Sequence, residues 1–156
     1  MTFMLFLWAG EGAPAQGLAQ VPIDQKNFLG MWKLHEAQSK MTHSGDEDKS
    51  LQWRSYERNG DRVKVSWGQA DGRVVGTYSA KCDNTEESTS FGHIRCRQVG
   101  SDTIEGEQSN TTDKVHRYYR RVVSADGKTM TITWYADAAR RRETDRFVYM
   151  KTPMQK

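Results

Sequence analysis

Val115-His116-Arg117-Tyr118-Tyr119-Arg120-Arg121-Val122-Val123-Ser124, then Ala125-Asp126-Gly127, then Lys128-Thr129-Met130-Thr131-Ile132-Thr133-Trp134-Tyr135-Ala136, decides the fold. Two runs rich in β-branched and aromatic residues flank a short turn that contains Asp-Gly. In the second run Met130, Ile132 and Trp134 alternate with three threonines, so one face is buried and the other wet. This is an antiparallel hairpin.

The same pattern extends in both directions. Leu51 to Glu57 and Arg62 to Trp67 flank Asn59-Gly60, a pair that accepts positive φ at both central turn positions. Val63, Val65 and Trp67 alternate with Arg62, Lys64 and Ser66. Asp71-Gly72 leads into Arg73 to Lys81, and Gly100-Ser101-Asp102 joins Ile94 to Val99 with Thr103 to Glu107. Arg146 to Lys151 reads as the last strand, and Phe28 to Leu34 opens the body. Met41 to Lys49 and the polar run Asp83 to Gly92 read as loops. No long helical period appears in the body. The fold class is therefore all-β: a small antiparallel up-and-down β-barrel of about eight to ten strands, closed because closure removes exposed edges.

Composition agrees. Only 36 % of the 156 residues are hydrophobic, but five Trp, six Tyr and five Phe are among them. Large rings bury much surface per residue, which suits a thin-walled structure. The length allows one domain, and residues 21–156 are assigned to it. Residues 1–20 form a separate segment, disordered or signal-peptide-like: Thr2 to Trp8 is apolar, and Ala13-Pro14-Ala15 has the form of a cleavage site. No segment approaches the roughly 20 apolar residues of a membrane helix. The formal net charge of +3 is spread among interspersed acids and bases, so nucleic acid is not an expected partner.

Cys82 and Cys96 are the only cysteines. A disulfide between them would close a loop of about 15 residues and contribute on the order of 3 kcal/mol. Pairing and export to an oxidising compartment, periplasmic or secreted, support each other. Two thiols without further ligands at suitable spacing make only half a zinc site, so no metal is expected.

Asn27-Phe28-Leu29-Gly30-Met31-Trp32-Lys33-Leu34 resembles the first strand of calycin barrels, the group of lipocalins, fatty-acid-binding proteins and avidins. The resemblance implies that Gly30 and Trp32 mark the barrel floor, with an arginine, Arg121 or Arg146, packed on the Trp. Together with Ser39-Lys40 and the run Arg121 to Thr131, the chain is similar to uncharacterised bacterial exported lipocalin-like proteins over about residues 27–151. The biotin-site features of avidins are absent.

Arg117, Tyr119 and Arg121 share one strand face with Val115 and Val123. In fatty-acid-binding proteins an Arg-x-Tyr in a late strand holds a carboxylate, and Arg117-x-Tyr119 has that spacing. These three residues are the candidate ligand site, with Glu105, Glu107 or a bound anion as countercharge. The alternative register places Tyr118, Val122 and His116 inside. The histidines at 35, 43, 93 and 116 are scattered, no nucleophile motif occurs, and neither enzymatic activity nor a cofactor is implied. Two functions stay open: a small hydrophobic or amphiphilic, acid-headed ligand carried inside the barrel, or a filled, ligand-free envelope or interaction domain. Oligomeric state is not legible.

Overall fold

The computed structural model describes residues 25–42, 51–111 and 116–153. Ten strands follow in chain order: β1 (Gly30–Leu34), β2 (Trp53–Asn59), β3 (Arg62–Gly68), β4 (Val74–Ala80), β5 (Asp83–Thr89), β6 (Gly92–Gln98), β7 (Thr103–Asn110), β8 (His116–Val123), β9 (Thr129–Tyr135) and β10 (Glu143–Thr152). They form one antiparallel sheet in the order β4-β3-β2-β1-β10-β9-β8-β7-β6-β5. Every neighbour in that order is also a neighbour in sequence, except that β1 and β10 pair to bring the chain ends together. The sheet curls into a nearly closed barrel.

The turns lie where turn chemistry demands them. Gly60 and Gly127 both have positive φ, at 63° and 69°. Alternation then sorts the side chains. Trp32, Leu34, Tyr56, Val65, Ile104, Tyr119, Val123, Met130, Ile132, Phe147 and Tyr149 are buried in one contiguous core. In β8 the buried set is Tyr119, Arg121 and Val123, and the face that carries Arg120 is the outer one. Val115, expected on the inner face, lies outside the described residues.

One strand departs from expectation. The polar run after Cys82 is β5, not a loop, and it pairs with β6 in a register that is irregular between Asp83 and Glu86. It has no apolar alternation because it is an edge strand, facing β4 across the seam where the barrel does not close. The seam is held by side chains. Glu87 accepts a hydrogen bond from the Lys81 amide through one oxygen (3.0 Å) and pairs with Arg62 through the other. Cys82 and Cys96 are joined, with Cα atoms 4.3 Å apart. Phe91, in the β5–β6 turn, places its ring 5.5 Å from Trp67 and 6.0 Å from Tyr78.

The opposite end of the sheet's sequence is anchored by a 3₁₀ turn, Gln25–Asn27, and Phe28. Trp32 and Phe28 are fully buried, and Trp32 Nε1 donates to the Phe28 carbonyl at 2.8 Å. The cation over the Trp32 ring is Lys151, at 5.1 Å from its centre, rather than an arginine. Lys151 is the residue directly across from Trp32 in the β1–β10 ladder. Arg146 is instead paired with Glu143 on the surface at 2.6 Å. Gly30 has a φ of 120°, and a Cβ there would press on the Lys151 side chain at 3.2 Å. The segment 1–20 lies outside the described residues.

Candidate functional site

Two guanidinium groups sit inside the barrel. Arg54, on β2, is 7 % exposed and Arg121, on β8, is 3 % exposed. Each arrives by simple alternation: Arg54 shares the inward face with Tyr56, and Arg121 with Tyr119 and Val123. Their surroundings are aromatic. Arg54 lies 5.7 Å from the Trp67 ring centre and 5.9 Å from that of Tyr149. Arg121 lies 4.8 Å from the Tyr56 ring and 5.3 Å from the Tyr119 ring. Arg54 Nε donates to the Tyr149 hydroxyl at 3.3 Å, and Arg121 Nη2 to the Tyr78 hydroxyl at 3.4 Å.

Glycines make room for two of these rings. A Cβ at Gly76 would stand 2.1 Å from Trp67, and one at Gly106 would stand 2.4 Å from Tyr119. In both cases the ring lies flat across the neighbouring strand, at the residue directly opposite it. Any larger side chain would displace the ring that contacts an arginine or its tyrosine partner.

The charge balance of this interior is one-sided. Among the described residues no carboxylate pairs with Arg54 or Arg121. Glu105 and Glu107, considered as countercharges, face outward. Glu105 binds Arg120 at 2.6 Å and Arg97 at 3.1 Å, and Glu107 lies 3.6 Å from Arg95 and 3.3 Å from His116. They face outward because they alternate with Ile104 and Gly106, which point in. Burial works against the charge on both arginines, the tyrosines around them work for it, and the balance holds both above the ordinary guanidinium range. Arginine stays charged in any case. Burial likewise pushes the Tyr119 and Tyr149 phenols up, so both stay neutral donors.

Three of the donors are unsatisfied. Arg121 Nε, the Tyr56 hydroxyl and the Tyr119 hydroxyl are buried without a hydrogen-bond partner among the described residues. Such groups cost about 1–3 kcal/mol each when left unpaired. Chemically the set is two cations and several hydroxyl donors within a core that also holds Ile104, Ile132, Met130 and Phe147.

Of the residues expected at the site, Tyr119 and Arg121 lie among these buried groups. Arg117 shares their face but is exposed, two residues nearer the strand's start. Arg54 was missed. Its signal is present in the sequence: Arg54-Ser55-Tyr56 has the same Arg-x-Tyr spacing as Arg117-Tyr118-Tyr119.

No protein-family model matches the chain. No curated protein matches it either. Solved structures do. A Schistosoma mansoni fatty acid binding protein in complex with arachidonic acid is 16 % identical with a TM-score of 0.60, covering 82 % of this chain and 98 % of its own. The fatty-acid-binding protein of Drosophila melanogaster brain tissue is 15 % identical with a TM-score of 0.55, covering 79 % and 98 %. As-p18, an extracellular fatty acid binding protein, is 10 % identical with a TM-score of 0.52, covering 81 % and 97 %. At these identities the likeness is one of fold.

Proposed function

We propose that this protein binds a small apolar ligand with an acidic head inside its barrel, without catalysis. Arg54 and Arg121 face the head, Tyr56 and Tyr119 donate to it, and the apolar wall takes the tail. The observation that carries this reading is the pair of buried guanidinium groups with no carboxylate partner among the described residues. A charge buried without compensation costs several kcal/mol. Aromatic faces return part of that, about 2 kcal/mol for a desolvated contact, but bring no negative charge. An acidic ligand would. The likeness in fold to proteins named for fatty acid binding supports the same reading.

A filled, ligand-free barrel draws support from the bulk of Trp32, Tyr56, Tyr119 and Tyr149, all essentially fully buried. It accounts for the rings but not for the arginines, since a core filled for stability alone gains nothing from two unpaired charges. We also infer an oxidising compartment, because a structural Cys82–Cys96 bridge persists there.

Titration with a fluorescent fatty acid tests the reading. Wild type should bind saturably. Arg54→Gln and Arg121→Gln should each weaken binding about tenfold or more, as expected for a lost charge-assisted hydrogen bond of about 1.5–3 kcal/mol. No binding by wild type, or equal affinities across the three proteins, would return the filled barrel as the better account.

A further inference from the structure

Resting on the reading that an acid-headed ligand enters the barrel, we propose that its head is a dianion of the phosphate-monoester class rather than a carboxylate. The juxtaposition that points there is Arg54 and Arg121 buried inside one barrel with no carboxylate partner among the described residues. They are linked through a short chain of contacts: Arg54 over Trp67 at 5.7 Å, Trp67 against Tyr78 at 6.1 Å, and the Tyr78 hydroxyl accepting from Arg121 at 3.4 Å.

Charge decides between head classes. The barrel interior holds two unit positive charges, on Arg54 and Arg121. A carboxylate neutralises one and leaves the other buried and unpaired. A phosphate monoester carries close to two negative charges above its second pKa of about 6 and can neutralise both. Donor number points the same way. Each guanidinium has about five N–H groups. One on each is bonded to a tyrosine hydroxyl. The Nε–H of Arg121, one of its five, has no partner among the described residues, and the hydroxyls of Tyr56 and Tyr119 add two further donors without one. A carboxylate has two oxygens to offer this set, whereas a phosphate monoester has three strongly accepting terminal oxygens.

The experiment compares three ligands of one chain length below their micellar concentrations by calorimetry: dodecyl phosphate, dodecyl sulfate and laurate, with inorganic phosphate as a fourth arm. Dodecyl sulfate has the same tetrahedral head as dodecyl phosphate but one charge at every pH used. At pH 8 dodecyl phosphate should bind at least tenfold tighter than either monoanion. At pH 5, where the phosphate is mostly a monoanion, that advantage over the sulfate should shrink to within about twofold. The sulfate arm cancels any effect of pH on the protein itself. Arg54→Gln and Arg121→Gln should each reduce the pH 8 advantage, and the wild-type comparison stands even if a variant fails to fold. Equal affinity for phosphate and sulfate at pH 8 would overturn the dianion while leaving an anionic amphiphile as the ligand. Binding of inorganic phosphate as tight as that of dodecyl phosphate would overturn the apolar tail. Binding of none of the four would overturn both the dianion and the reading beneath it.

Discussion

The Arg121 guanidinium stands 4.8 Å from the centre of the Tyr56 ring, reaching it from the far side of the barrel, and its Nε has no hydrogen-bond partner among the described residues. This is a poor arrangement for stability. Replacing buried charges with apolar groups of similar volume is often neutral or stabilising, by about 1–4 kcal/mol. Arg121→Met should therefore melt no lower than wild type while losing affinity for an anionic ligand. Thermal melts paired with ligand titration check this. A variant that melts several degrees lower would show that the Tyr56 and Tyr119 faces already compensate the charge.

Trp32 is a different case, since everything around it favours the fold. It is fully buried, and its indole N–H is bonded to the Phe28 carbonyl at 2.8 Å. Trp32→Ala should cost about 3–5 kcal/mol. Trp32→Phe keeps most of the ring and forfeits the hydrogen bond, with a smaller loss near 1 kcal/mol from that term. Urea denaturation of both variants would establish the order, and a Trp32→Ala protein as stable as wild type would remove Trp32 from the list of residues that close the barrel.

Legibility followed the hydrophobic alternation. The hairpins across Gly60 and Gly127 could be read because each pairs a turn that needs positive φ with a strand buried on one face. Strand β5 could not. Asp83-Asn84-Thr85-Glu86-Glu87-Ser88-Thr89 contains no apolar residue, and its inward Glu87 serves to bridge the seam to Arg62 and Lys81. Edge strands that are held by side-chain polar bonds leave no period-two signal of burial. Arg54 was hidden for a related reason. A charged residue in an amphipathic strand reads as outward-facing, and only barrel closure, which brings β2 opposite β8, shows that it points in.

The seam supplies the third prediction. Cys82 and Cys96 are 14 residues apart and tie the start of β5's approach to β6. Closing a loop of that size contributes about 3 kcal/mol by constraint of the unfolded chain, which for a domain of this size is roughly 10 °C of melting temperature. Melts with and without reductant should differ by about that amount, and the Cys82→Ser, Cys96→Ser double variant should match the reduced protein. Two alkylatable thiols in protein isolated from its native host would show that the bridge does not form there.

The outer face of β7 and β8 gives a pH dependence. Glu105 is buried against three arginines, Arg97, Arg120 and Arg140, at 3.1, 2.6 and 3.7 Å. Arg140 also donates to the Tyr119 carbonyl through Nε and to the Gly106 carbonyl through Nη2, both at 3.3 Å. The cluster thus fastens the β9–β10 connection to β7 and β8. Burial pushes the Glu105 carboxyl up, but hydrogen bonds from Arg120 and Arg97 and the charge of Arg140 outweigh it, and the group is held below the usual carboxylate range. A folded value below the unfolded one means that the unfolded chain takes up the proton first. The stabilisation is therefore complete above the unfolded value of about 4.3 and is lost as pH falls through the folded value. Arg97 and Arg120 are half-exposed, so solvent screening trims the effect, and Glu105→Gln should cost about 1–2 kcal/mol at pH 7. Urea melts at pH 7, 5 and 3 should show wild type and variant separated at the two higher values and converging at the lowest. A gap that stays constant down to pH 3 would mean that the Glu105 charge contributes nothing and that shape alone holds the cluster.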